Sequence, residues 1–149
     1  MDIQQQIENT KVLISKNKLK QALASLKVIY YKADLKQKEQ INFEIGKIYM
    51  LLKKHLKSIY YLRRLKSEKF IKMSYDLLFQ SYVEIKKYKE LLKIYDKFNN
   101  DQIKVYNVIP ALEACLILKD FKKALSIIHD IRRNNISDLY LDEIIKKIY

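Results

Sequence analysis

Few side chains in this chain could do chemistry. Two histidines, His55 and His129, and one cysteine, Cys115, are its soft donors. A bound metal needs three or four such donors at close spacing, and no HExxH or paired-cysteine pattern occurs. Nucleophilic catalysis needs a hydroxyl or thiol held against a base, but the serines are scattered without a fixed histidine partner. Asp142 and Glu143 are adjacent, so on a helix they diverge rather than share a substrate. With one glycine, Gly46, no glycine-rich loop can cradle a phosphate. The expectation is a non-catalytic protein with no cofactor and no metal.

The elements behind these residues are read from composition first. The chain has 149 residues, 49% of them hydrophobic, which is enough for a folded core. One glycine and one proline leave little material for β-turns, while Leu, Lys, Glu and Gln favour helix, so the fold class expected is all-α. Cys115 is alone and reads as a buried small hydrophobe. The start, MDIQQQIENT, is polar, and no run of 18 apolar residues occurs, so a cytoplasmic location is expected. Net charge is +13, from 30 basic and 17 acidic residues. That excess suits an acidic partner, and the Lys, Ile, Tyr and Asn bias of an AT-rich genome would also produce it.

A period organises the chain. NKLKQALASLKVI from Asn17, KKHLKSIYYLRRL from Lys53, KKYKELLKIYDKF from Lys86 and KDFKKALSIIHDI from Lys119 align without a gap, at spacings of 36, 33 and 33 residues. Within the blocks, Leu19, His55, Tyr88 and Phe121 share one column and Ala22, Ser58, Leu91 and Ala124 another. Leu26, Leu62, Tyr95 and Ile128 follow, then Ile29, Leu65, Phe98 and Ile131. Offsets of three and four place these columns on one helical face. A second amphipathic stretch precedes each block, so the pattern predicts four helical hairpins. SDLYLDEIIKKIY adds a last helix with Ser137 or Asp138 as N-cap. Asn107 is expected to cap the seventh helix, leaving Pro110 in its first turn, where amide protons are unpaired.

Carried by Ile45, Gly46, Tyr49, His55, Ser58, Leu62 and Leu65 in the second unit, and by Phe121, Ala124, Ile128 and Ile131 in the fourth, the pattern resembles the tetratricopeptide repeat (TPR) family. The resemblance spans nearly the whole chain. It departs at Phe79, Leu91 and Leu112, bulky where the family prefers small residues, and in lacking the proline that ends each repeat, so related helical-pair repeats stay open. The fold it implies is a right-handed α-solenoid of about four TPR-like hairpins plus a C-terminal capping helix, about nine helices in all. These would form a single domain, with units near 1–34, 35–69, 70–101 and 102–134 and a cap at 137–149.

The resemblance also implies a working surface. First helices of such arrays line a concave groove that receives a peptide or helix of another protein. Position by position the groove would present Ile7, Lys11 and Ile14, then Phe43, Lys47 and Met50, then Asp76, Gln80 and Val83, then Ile109, Glu113 and Leu116. The family's carboxylate clamp, a Lys followed by Asn in the first repeat with basic residues in the third, is missing: Ile7 and Lys11, then Asp76 and Gln80, stand there. The function expected is a protein–protein interaction scaffold holding a helical or extended partner segment, with self-association as a further expectation because stacked repeats can continue between chains. A second reading starts from charge, since residues 35–69 alone carry +7. Lys53, Lys54, Lys57, Arg63, Arg64 and Lys66 would form a basic convex patch for an acidic partner, nucleic acid or an anionic membrane.

Overall fold

The computed structural model describes residues 1–98 and 103–149. Among these the chain is all-α, with nine helices: α1 (Ile3–Ser15), α2 (Leu19–Tyr30), α3 (Leu35–Leu51), α4 (His55–Leu62), α5 (Glu68–Glu84), α6 (Tyr88–Tyr95), α7 (Val105–Leu118), α8 (Phe121–Arg133) and α9 (Leu139–Ile148). Packing follows chain order, with α1 on α2, α2 on α3 and α3 on α4, then α6 on α7 and α7 on α8. No helix among the described residues is long and apolar enough to cross a membrane. Two compact units result, Met1–Ser81 and Tyr82–Tyr149, dividing within α5. The unit boundary expected at 101 and 102 lies outside the described residues.

Local chemistry sets where the helices start. Asp2 accepts from the Gln5 amide (2.7 Å), Asp120 from Lys123 (3.1 Å) and Asp138 from Leu141 (3.1 Å), which makes Asp138 the cap of α9. Asp34 and Gln37 form a reciprocal capping box at α3.

The stops of α1, α3, α5, α7 and α8 follow one rule, while α2, α4 and α6 end on right-handed residues. Asn17, Lys53, Lys86, Lys119 and Asn135 each adopt a left-handed backbone, with φ of 59, 60, 57, 57 and 54°. The first four are the opening residues of the four aligned blocks. At each, the following amide reaches back five residues, as in Lys54 N to Tyr49 O (2.8 Å) and Asp120 N to Cys115 O (2.9 Å). The left-handed residue's own amide reaches back three, as in Lys53 N to Met50 O (3.0 Å) and Lys119 N to Leu116 O (3.2 Å). These paired bonds are the Schellman arrangement, which satisfies carbonyls the ended helix would leave bare. After the first four of these residues the next helix begins two residues on, and α2, α4 and α6 have Lys18, Lys54 and Lys87 as cap residues without a side-chain cap bond.

In the first unit the core joins Ile7, Ala22, Leu26, Ile41, Ile45 and Ile48, all nearly or fully buried. Residues 41 to 46 of α3 are buried one after another, which requires neighbours on every side of that helix. The tightest contact is with α4. A Cβ added at Gly46 would lie 2.6 Å from Leu62 Cδ2, and Ser58 Oγ donates to the Gly46 carbonyl at 2.7 Å. Two small residues therefore let α4 settle onto α3. A longer link comes from Glu39, whose Oε1 accepts the amides of Lys66 (2.7 Å) and Ser67 (2.6 Å) and so fixes the segment leading into α5.

In the second unit Ala111, Leu112, Ala114 and Cys115 of α7 and Ala124, Ile127 and Ile128 of α8 are essentially inaccessible to solvent. Tyr95 of α6 donates to Asp130 Oδ2 of α8 (3.1 Å). Two expectations need correction here. The helix α7 starts at Val105 with Lys104 as cap residue, so Asn107 is not the cap and Pro110 lies inside the helix. The Asn107 side chain instead accepts the Lys104 amide (3.3 Å), which holds an extra turn upstream. The carbonyl that loses its partner to Pro110 is that of Tyr106, an exposed residue. Phe121, aligned with packed positions, is half exposed because it is the first residue of α8, at the hairpin bend.

Lysine is strained in the left-handed region and glycine is not. Lys53→Gly, Lys86→Gly and Lys119→Gly are each expected to raise stability by about 0.5–1 kcal/mol, and Asn17→Gly by less because Asn visits this region readily. Urea unfolding midpoints check this. Gly46→Ala should cost about 1–3 kcal/mol by overpacking and Leu62→Ala about 2–5 kcal/mol by leaving a cavity. The double variant should cost less than the sum, since the new methyl enters the vacated space; an additive cycle would contradict the contact.

Candidate binding surfaces

The predicted groove residues divide between the two units. In the first, Ile7 is wholly buried and belongs to the core, and Phe43 is 7% exposed. Lys11 is partly exposed and pairs with Glu8 (3.1 Å). Ile14, Lys47 and Met50 are half-buried, and Asp76 and Gln80 are exposed. In the second unit Val83, Ile109, Glu113 and Leu116 are half-buried, and Glu113 accepts the hydroxyl of Tyr140 from α9 (2.9 Å).

What the first unit does form is a cleft of about 610 Å³ across α1, α3 and the start of α5. Of the predicted set only Lys11 and Phe43 line it. Its other walls include Gln4, Gln40 and Met73, which share one column of the repeat three residues before Ile7, Phe43 and Asp76. The cleft therefore sits about one helical turn toward the N-terminal ends of these helices. The physical reason is that a helical side chain leans back over the turn that precedes it. The repeat register held this signal, because Lys36 and Lys69 fall on one column as Gln40 and Met73 do. Phe70 faces Phe43 with ring centroids 5.8 Å apart, Met73 is 46% exposed, and Lys69 lies over the Phe70 ring at 5.9 Å. The result is an apolar floor with basic flanks.

Glu44 also lines this cleft and is 5% exposed, with Oε2 buried and unpaired. Burial pushes its carboxyl above the usual range; Lys47 and Lys11 pull it partly back, while Glu8 pushes it further up. Glu39 behaves oppositely. Burial opposes its ionisation, but the amides of Ser67 and Lys66 outweigh that and hold its carboxyl below the usual range.

All six residues of the predicted basic patch are exposed, yet they do not act together. Lys57 Nζ lies 5.6 Å from the Tyr49 ring, shared with Lys27. Arg63, Arg64 and Lys66 border a cleft with Tyr30, Lys38 and Asn42, whereas Lys53 and Lys54 do not. His55 Nδ1 is 3.4 Å from Ser81 Oγ, and His129 is exposed. Burial pushes the Cys115 thiol up to about 11, which keeps it protonated and unreactive at neutral pH. Comparison with protein families, curated proteins and solved structures gives no match to this chain.

The Glu44 environment makes a signed prediction. A carboxyl whose folded pKa is raised stabilises the fold fully below its ordinary value of 4.5, and that contribution is lost as pH rises through the folded value. Glu44→Gln should match the parent near pH 4 and exceed its stability at pH 7 by on the order of 1–3 kcal/mol, the cost of a buried unpaired group. Denaturant unfolding at the two pH values measures it.

Proposed function

We propose that the chain is a non-catalytic interaction scaffold, a TPR-like α-solenoid that holds a segment of a partner protein in the cleft over α1, α3 and α5. The repeat reading is supported by the left-handed turns at spacings of 36, 33 and 33 residues and by the small-residue contact of Gly46 with Ser58 and Leu62. The observation that carries the binding reading is the cleft itself, with Phe43, Phe70 and Met73 as an apolar floor and Lys11, Lys36 and Lys69 around it. A segment that fits would present one or two apolar side chains to the floor, acidic residues to the flanking lysines and a hydrogen-bond donor to Glu44. Its charges would fix direction, and its apolar anchors would supply most of the affinity.

The test is quantitative capture of partners from native extract by the parent chain, by Phe70→Ala, and by Lys36→Glu combined with Lys69→Glu. Both variants should fold, judged by helical circular dichroism, and lose affinity for the captured protein by about tenfold or more. Retention unchanged in both would overturn the assignment of the cleft.

A further inference from the structure

A second concavity in the first unit lies between the ends of α2 and α4, over the N-terminal half of α3. Two adjoining clefts, of about 360 and 470 Å³, share Tyr30, Asn42 and Arg64 as walls and so form one channel. Neither is used in the reading above.

Its charge is one-sided. Lys27, Lys38, Arg63, Arg64 and Lys66 line the channel against a single carboxylate, Glu39. The Oε1 of that carboxylate is directed to the backbone amides of Lys66 and Ser67 rather than to any of the cations. The channel thus keeps a net positive rim, with Lys66 the cation that Glu39 attracts.

Aromatic surface is interleaved with this charge. Tyr30, Tyr31 and Tyr61 are walls of the narrower part. Tyr61 rests on Tyr49 with centroids 5.6 Å apart, so packing explains one of its faces. Packing does not explain Tyr31, which is 83% exposed and set edge-on to Tyr30 at 5.8 Å.

The floor is Asn42. It is 8% exposed, opens into both clefts, and its side chain takes no hydrogen bond from the described residues. Its amide is open to solvent at the clefts, and it offers a donor and an acceptor side by side. Side-by-side donor and acceptor are what the edge of a nucleobase presents in return.

We propose that this channel binds single-stranded nucleic acid, with bases stacked on the exposed tyrosine surface, one base edge hydrogen-bonded by Asn42, and phosphates on Arg63, Arg64, Lys38 and Lys66. Unpaired strands are favoured because their bases can splay into a cleft of this size, while a duplex hides them. An anionic membrane or an acidic peptide would satisfy the cations but leave the tyrosine faces and the Asn42 amide unused.

The experiment is fluorescence anisotropy on the full chain with labelled oligoadenylate and oligouridylate eight-mers, with a polyglutamate peptide and phosphatidylserine vesicles as competitors. Oligonucleotide binding should weaken with salt, with a slope that falls by about 0.7 for each phosphate contact removed, as in Arg64→Gln. Tyr31→Ala should reduce affinity on the order of tenfold, and because that side chain is exposed the fold should be unaffected. Asn42→Ala should bring the two homopolymers to equal affinity without changing the salt slope. Competition by polyglutamate or vesicles as strong as by unlabelled oligonucleotide would overturn the proposal. So would affinity indifferent to Tyr31→Ala, or no oligonucleotide binding at low salt.

Discussion

In the first unit the close approach of α4 to α3 at Gly46 is the contact on which the surroundings depend. A methyl group there would run into Leu62, so the distance between the two helices is set by the absence of one side chain. Ser58 then closes the gap with a bond to the Gly46 carbonyl. Drawn in on that side and packed against α1 and α2 elsewhere, α3 becomes a common floor. A helix turns about 100° per residue, so Asn42 and Glu44 point in nearly opposite directions. One meets the aromatic channel and the other the apolar cleft. Two unlike surfaces thus rest on neighbouring residues of one buried segment.

Charge in this unit is arranged, not merely abundant. Residues 1–81 carry 17 basic and 7 acidic residues, against 13 and 10 in 82–149. The acids of the first unit mostly serve the fold. Asp2 and Asp34 cap helices, Glu39 holds two amides, Glu8 and Glu68 pair within their own helices, and Glu44 is buried. Most of the bases are left to solvent. A biased genome would account for how many lysines there are, but not for acids turned toward backbone amides while cations line a cleft.

Helix positions were legible in the sequence because their apolar spacing was strict, and the Asp138 cap and the Gly46 and Ser58 columns were legible for the same reason. The Pro110 helix was misread at its start, since a proline signal competes with a side chain, Asn107, that stabilises an extra turn and leaves no motif. The turn conformations were invisible, because lysine is not a left-handed residue by preference; only the repeat spacing marks Lys53, Lys86 and Lys119 as equivalent. The cleft over α1, α3 and α5 opens about one turn from most of the residues that repeat position named. Repeat position says which helix face is shared, while the lean of each side chain decides where along that face a cleft opens. Glu39 was not anticipated, as its partners are backbone amides 27 and 28 residues away, which no pattern of residue types encodes.

The left-handed turns also bear on how such a chain can change its length. Each closes through its own backbone bonds, so a helix stops where it does without instruction from its neighbours. A stop of this kind is a seam. Among the first four, one pair of helices separates each such stop from the next, so a whole pair can be gained or lost as one block without rewriting where the remaining helices end.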